Sequence, residues 1–448
     1  MYFQSTRSVD TKVRLLEAVQ MGLAPDGGLF IPQNMPVVNW DSLSSSSFAD
    51  CSASFLYQWL SGVMSKTQID KMIGFALNFD VPMVPLTPRP SDKAVLPTPF
   101  VTSLGQAETY VLELFHGPTL SFKDFGARTL AFLLRERLRE TKASVTILVA
   151  TSGDTGSAVA DGLSGIEGIR VVLLYPRSQV SLVQEKQLIV KREGVLALRV
   201  DGTFDDCQCL VKGAFLDETL SAMHLSTANS INIGRLIPQM LYYVWASKQL
   251  QNSVPQFVVP SGNLGNLTAG VMAYKSGLPV TQFVAAHNAN DFFPKYLKNK
   301  DAVFEPSVQT ISNAMDVGAP SNFERLTSLL TQSELSRMIK GISFSNHETL
   351  QSMEKVYDET GYIADPHTAV GLAASERVGS EISRKGPTVV LSTAHPAKFP
   401  DIVKEAVGVK MAVPPQLTKL SNQPVQVFDL SPSQSELSLA ILSHKWNR

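Results

Sequence analysis

Beyond residue 100, six short segments are apolar on both faces: Val145–Ala150, Val171–Tyr175, Leu196–Val200, Phe257–Val259, Phe283–Ala286 and Val389–Ser392. A strand with no polar face cannot lie with one side in water, so each must sit inside a sheet covered above and below. Helical patterns fall between them, and this alternation marks mainly parallel sheets flanked by helices, an α/β architecture. The region before them differs. Up to about residue 85 the chain reads as mostly helical, with an amphipathic block from Phe55 to Phe79 and a serine-rich loop at Ser42–Ser47. The proline-rich run from Pro85 to Pro99 reads as a linker or extended crossing, and a second proline-bearing stretch, from Val413 to Pro424, precedes a C-terminal tail without an assignable pattern.

The 448 residues suffice for two or three domains with a sizeable core. Their charges nearly cancel, at a formal net −1, and no lysine/arginine block interleaves with aromatics, which argues against nucleic acid and anionic membranes as partners. No apolar stretch approaches the roughly 20 residues that span a bilayer, and no basic segment followed by an apolar one opens the chain. A cytoplasmic protein is the simplest expectation; an organellar protein whose transit peptide has been removed would look the same. Cys51, Cys207 and Cys209 form neither a four-ligand zinc set nor a disulfide framework, and the histidines lack the His-Glu-x-x-His spacing, so no catalytic metal is expected.

Two of the strands run into polar glycine turns followed by helical sequence. Val145–Ala150 leads into Thr151-Ser-Gly-Asp-Thr-Gly156, and Gln256–Pro260 into Ser261-Gly-Asn-Leu-Gly265. Glycine lets backbone N–H groups approach an anion, and the helix that follows turns its unpaired amides toward it, so each turn can cradle a phosphate or carboxylate. Neither Gly-x-x-x-x-Gly-Lys-Ser/Thr nor a full Gly-x-Gly-x-x-Gly is present, which argues against nucleotide binding. Lys123 occupies a third strand-to-helix junction, between the apolar run Tyr110–Phe115 and a helix face made by Leu130, Leu133, Leu134 and Leu138. Beside a helix N-terminus and partly buried, a lysine is pushed toward the neutral amine that an imine needs. Alone, Phe122-Lys-Asp124 would read as a surface ion pair. In company with two anion-cradling turns, Lys123 reads as the Schiff-base lysine of a pyridoxal-phosphate (PLP) enzyme.

His116-Gly-Pro-Thr-Leu-Ser-Phe-Lys-Asp-Phe-Gly126, Thr151-Ser-Gly-Asp-Thr-Gly-Ser157, Ala228-Asn-Ser-Ile-Asn232, Pro260-Ser-Gly-Asn-Leu-Gly265, Ser312-Asn-Ala-Met-Asp-Val317 and Thr393-Ala-His-Pro-Ala-Lys-Phe399 resemble, in order, the successive signatures of the threonine synthase family. Ser5-Thr-Arg7 and Gly22 to Pro32 resemble its N-terminal segment, although Tyr2-Phe-Gln-Ser5 also resembles the remnant of a cleavable tag. The resemblance implies a fold type II PLP enzyme: two αβα domains with mainly parallel sheets, plus the mostly helical N-terminal region. The expected division is 1–95 for that region, 96–140 with 215–448 for the large PLP-binding domain, and 141–214 for a smaller domain carrying a substrate loop.

The roles carried over follow the motifs. Lys123 would hold the cofactor covalently and act as the base. Ser261, Gly262, Asn263, Leu264, Gly265 and Asn266 would hold its phosphate, mainly through backbone amides, and Thr393 its pyridine nitrogen through a neutral hydroxyl. Family members often carry phenylalanine at position 264 and aspartate at 266. The implied substrate is O-phospho-L-homoserine, converted with water to L-threonine and phosphate. Ser152 and Thr155, with backbone amides, would grip its carboxylate, with Asp154 orienting that turn or touching the cofactor's O3′; Arg235 and Lys398, with Ser230, Asn232 and Asn313, would grip its phosphate. His116, His367 and His395 invite a general-base reading, but histidines in such turns also cap backbone groups. A monomer or homodimer is expected. The alternatives are a phospho-lyase that stops at 2-oxobutyrate, a serine or threonine dehydratase of the same fold, and a non-catalytic homologue.

Overall fold

The computed structural model describes residues 1–89, 109–250, 253–381 and 386–446. Most of the Pro85–Pro99 crossing, and the expected boundary at 95, lie outside the described residues.

Two sheets organise the chain. The larger has the order β11 (Ile339–Ser343), β10 (Gln282–His287), β9 (Gln256–Pro260), β12 (Thr388–Ser392), β4 (Thr109–Glu113), β3 (Met83–Pro85). All neighbours are parallel except the edge strand β3, which runs antiparallel to β4. Thr388 in β12 sits opposite both Thr109 of β4 and Gln256 of β9, which fixes the register of the three central strands. The smaller sheet is wholly parallel, in the order β13 (Phe428–Leu430), β7 (Val195–Val200), β6 (Ile169–Pro176), β5 (Val145–Ala150), β8 (Leu225–Thr227). All six residues of β5 and all five of β12 are buried, as strands apolar on both faces demand.

The α/β reading therefore holds, but the smaller layer is drawn differently from the expectation of 141–214. That upper limit falls inside the helix Phe204–Leu216, and β8 and β13 both belong to the smaller sheet. The C-terminal helix Gln434–Ser443 completes this unit by burying Leu437 and Ile441 in one cluster with Leu210 and Ala214. Strands of three residues are too short to show a period, so neither was legible.

The N-terminal region is helical at Leu15–Met21, Phe48–Trp59 and Lys66–Ala76. Ser47 and Ser65 cap the second and third by accepting the amides of Asp50 and Gln68. Phe55, Trp59, Ile69 and Met72 join the core that also holds Leu130 and Leu134 of the helix Lys123–Thr141. Tyr2–Ser5, which resembles a tag remnant, is part of this fold: Phe3 is fully buried, and β1 (Phe3–Ser5) pairs with β2 (Phe30–Pro32). Among the described residues no helix is long and apolar enough to cross a membrane, and no three acidic, histidine or cysteine side chains gather as a metal site.

Parallel strands place their carboxyl ends on one edge, and loops leaving that edge build clefts. From β4 the chain reaches Lys123, from β9 the Ser261–Gly265 turn, and from β12 Thr393.

Candidate active site

One cavity gathers Phe122, Lys123, Thr155, Asn229, Ser230, Arg235, the whole Pro260–Leu267 turn, Met315, His367 and Thr393. Lys123 opens the helix Lys123–Thr141, and its N–H donates to Ser121 Oγ at 3.1 Å. Its ammonium lies 4.4 Å from the centroid of the Phe122 ring. The surface ion pair with Asp124 is absent: Asp124 is buried and turned back to accept the amide of Thr119 at 2.9 Å and its hydroxyl at 2.7 Å. Burial first, and then the nearby Arg235 charge, push the Lys123 amine down to about 8, against an opposing pull from Asp154.

The Ser261–Gly265 turn is shaped for an anion. Leu264 takes the left-handed conformation, at φ 59°, and caps the helix Gly265–Lys275, whose first-turn amides have no intrahelical acceptor. A Cβ at Gly262 would stand 2.9 Å from Met315 Cα, so only glycine lets the two backbones approach. Asn266 receives both Tyr242 OH, at 2.6 Å, and Tyr243 OH, at 2.7 Å, on its side-chain oxygen. Its Nδ2 is buried without a partner in the cavity lining. A buried, unpaired donor beside open amides at a helix N-terminus is what a bound phosphate would satisfy. With the desolvated amine of Lys123 and the hydroxyl of Thr393 in the same cavity, the residues present fit PLP.

The expected substrate residues divide. Arg235 and Ser230 line the cavity; Arg235 is 2% exposed, gives Nη1 to the carbonyl of Ala228 at 2.5 Å, and keeps a buried Nε without a partner. Desolvation lowers its pKa to about 10, so it remains charged at neutral pH. Asn232 corrects its expected role: its Nδ2 donates to the carbonyls of Val19 and Thr227 at 2.9 and 3.0 Å, and its oxygen accepts the Gly234 amide, leaving nothing for a ligand. It is the N-cap of the helix Ile233–Leu236. Lys398 is corrected too. It is fully buried, 2.6 Å from Asp154 Oδ1, and also reaches the Thr119 carbonyl at 3.1 Å.

Asp154 is turned onto Lys398 and Gln184 and does not line the cavity. Desolvation works to raise its pKa, but the charge and hydrogen bond of Lys398 outweigh this and hold the carboxyl below its ordinary value. Thr151 Oγ1 accepts the amides of Gly153 and Gly156 at 3.0 and 2.8 Å, and Thr155 lines the cavity. Ser152 and Asn313 face a neighbouring hollow with Gln179 and Asp316, and Asn313 Nδ2 donates to Gln184 Oε1 at 3.2 Å.

The histidines cap. His395 Nδ1 accepts the Ala397 amide at 3.1 Å, and the part-exposed His116 pairs with Glu113 at 2.7 Å. His367 lies in the cavity wall with Nδ1 2.7 Å from Asp365 and Nε2 accepting the Ala314 amide at 3.1 Å. Sequence reasoning passed over Asn229, although it stands in a quoted motif; its Nδ2 donates to the Ala150 carbonyl at 3.2 Å while the residue faces the cavity. It also missed Gln239, which carries no motif signal and is brought in by the helix Gln239–Gln249.

A cavity that joins a desolvated lysine to an anion-cradling turn at the carboxyl edge of a parallel sheet defines a PLP-dependent enzyme. Consistently, residues 92–394 match the family described as pyridoxal-phosphate dependent enzyme. Residues 2–77 match the threonine synthase N terminus, and residues 368–441 the threonine synthase C-terminal family. The chain is 37% identical to the threonine synthase of Serratia marcescens over 95% of each chain. Among solved structures it resembles threonine synthase from Escherichia coli (TM-score 0.87, 33% identity, 99% of this chain and 100% of that one). It also resembles the PLP-bound threonine synthase from Brucella melitensis (TM-score 0.85, 32% identity, 98% of each). The chain belongs to the threonine synthase family and is a fold type II, PLP-dependent lyase of threonine biosynthesis.

Proposed function

We propose that the chain converts O-phospho-L-homoserine and water to L-threonine and inorganic phosphate, with the roles divided along the cavity. PLP, linked through Lys123, supplies the electron withdrawal that makes the substrate's Cα and Cβ protons removable. Lys123 is the base. Its free amine, lowered to about 8 by burial and by Arg235, would take and return protons at the substrate's neighbouring carbons near neutral pH. The open amides of the Gly262–Leu267 turn, with Asn266 Nδ2, hold the cofactor phosphate, and the Thr393 hydroxyl meets the pyridine nitrogen.

Arg235, with Asn229, Ser230 and Asn263, meets the phosphate that leaves the substrate; a buried guanidinium with an unspent Nε supports this most directly. The substrate carboxylate belongs at Thr155 and the Thr151–Gly156 turn. There Lys398 cancels the Asp154 charge that would otherwise repel it. Water addition in place of simple elimination requires that the cavity admit water only at that step.

The observation that carries this reading is the desolvated Lys123 in one cavity with Arg235 and the Ser261–Gly265 turn. The test is the visible spectrum of the purified protein with product analysis, for wild type and Lys123→Ala. Absorbance near roughly 410–420 nm, with equal yields of phosphate and threonine, all lost in the variant, is expected. Phosphate with 2-oxobutyrate would make it a phospho-lyase. Serine or threonine turnover indifferent to Arg235→Met would make it a dehydratase. A protein that stays colourless and inactive with added PLP would refute the reading.

A further inference from the structure

Arg325, on the helix Phe323–Leu329, is fully buried and makes no ion pair among the described residues. Its guanidinium is spent on neutral oxygens. Nε donates to the Phe30 carbonyl at 3.1 Å, Nη2 to the Ile231 carbonyl at 2.7 Å, and Nη1 to the Ser230 carbonyl at 3.4 Å and the side-chain oxygen of Asn322. Burial lowers its pKa to about 9, which leaves it charged at neutral pH. A buried cation whose hydrogen bonds all go to neutral oxygens is costly to keep, with only the charge of the neighbouring Glu324 to offset its burial.

The contacts of Arg325 lead to both anion-binding segments. Asn322, held by Arg325, donates its Nδ2 to Ser230 Oγ at 3.1 Å and its N–H to the Asn263 carbonyl at 3.2 Å. Ser321 gives both its amide and its hydroxyl to Asn263 Oδ1 at 3.2 Å. Ser230 and Asn322 close on Gly265, where a Cβ would lie 3.2 Å from Ser230 Cβ and 3.4 Å from Asn322 Nδ2. Arg325 thus ties β2, the Ser230–Ile231 loop and the glycine turn to one helix.

We infer that Arg325 is a positioning residue for the phosphate end of the substrate: it holds Ser230 directly and Asn263 through Asn322 in the geometry that meets a phosphate, and sets a buried positive charge behind them. It touches no ligand itself. The inference rests on the proposed phosphate-binding role of Arg235 and Ser230.

The test uses the holoenzyme, with inorganic phosphate as the probe. Measured are its inhibition constant, KM and kcat, and the visible spectrum, for wild type, Arg325→Met, Arg325→Lys and Arg235→Met. Arg325→Met is expected to raise KM and the phosphate inhibition constant by roughly tenfold, with kcat within about threefold and the cofactor absorbance unchanged. Arg325→Lys, which keeps charge but loses the fork, should fall between. A folded Arg325→Met protein with lowered Tm but both constants within about twofold of wild type would overturn the inference and leave a purely structural arginine. Should Arg325→Met not fold, Asn322→Ala reads the same relay: a weakened phosphate constant supports it, an unchanged one refutes it. If Arg235→Met also leaves both constants unmoved, the phosphate assignment of the cavity falls, and the inference with it. If only the Arg325 variants leave them unmoved, the inference alone falls.

Discussion

Lys398 Nζ stands 2.6 Å from Asp154 Oδ1, with the two side chains 0% and 4% exposed. The pair joins the loop after β12 in the large sheet to the first turn of the helix Asp154–Leu163 on the small one. Gln184 Nε2 reaches the same carboxylate oxygen at 2.9 Å, and Ser181 Oγ donates to the Lys398 carbonyl at 3.0 Å. The Thr151–Gly156 turn is therefore oriented, and the charge of its Asp154 cancelled, from the other sheet.

Breaking this pair from either side leaves a buried charge alone. Lys398→Met and Asp154→Asn should each destabilise the protein by about 3–5 kcal/mol, and the double variant by clearly less than their sum, in urea unfolding at pH 7. Strictly additive losses would show that the pair is not coupled. The pH dependence has a definite sign. The folded Asp154 carboxyl titrates below its unfolded value of about 3.9. Its stabilising contribution is complete above that pH and is lost as pH falls through the lower, folded value. Lys398→Met should flatten the acid limb of stability.

Lys123 gives a second pH signature with the opposite origin. Its amine is depressed to about 8, by burial first and Arg235 second. Covalent capture of added PLP by cofactor-free protein should accelerate as pH rises through 8 rather than toward the ordinary lysine value of about 10.4. Arg235→Met removes a repelling cation, so its midpoint should move upward. Stability of the cofactor-free protein should also rise with pH between the two values, because the unfolded chain binds the proton that the folded one has lost. Stopped-flow mixing over pH 6.5–9.5 checks the kinetics. A flat profile, or a downward move in the variant, would contradict this account.

What the sequence disclosed follows from what a sequence can encode locally. Lys123 and the two glycine turns each sit just past an apolar strand, so strand pattern plus turn chemistry located them, while Thr393 came through the family resemblance; Lys123, Thr155, the Ser261–Gly265 turn and Thr393 line one cavity. Lys398 and Asn232 were misjudged because a cation or amide in a motif does not reveal its partner: one is 244 positions from Asp154 (398 less 154) and the other caps its own helix. Arg325 and Gln239 gave no signal, since nothing local distinguishes a buried arginine or glutamine from a surface one. The strands β8 and β13 were hidden by their length, and with them the return of the C-terminus to the small sheet.

Gly262→Ala tests the turn without touching any charge. The added methyl would meet Met315 Cα at 2.9 Å and the Ala314 carbonyl at 3.2 Å, backbone atoms that cannot swing away as a side chain would. The turn must shift, carrying the open amides off the position where they converge. PLP affinity should fall by roughly 10- to 100-fold, read by fluorescence titration of cofactor-free protein, with Tm in the absence of PLP lowered only slightly. An unaltered affinity would mean that the turn does not hold the cofactor phosphate.

His367 tests whether a buried histidine in the cavity wall is a base or a brace. Nε2 accepts the Ala314 amide at 3.1 Å, so the ring proton sits on Nδ1, which faces Asp365 Oδ1 at 2.7 Å. Both nitrogens are engaged, and the ring has no lone pair left for a substrate proton. What it does fix is the Ala314–Met315 segment that backs Gly262. His367→Gln, which can still accept the amide, should keep most of the activity, whereas His367→Leu should lower kcat/KM by roughly tenfold through a displaced turn. In both variants the pH–rate profile should keep the limbs it has in wild type. Loss of one limb would instead assign proton transfer to this ring and displace Lys123 from the role of sole base proposed for it.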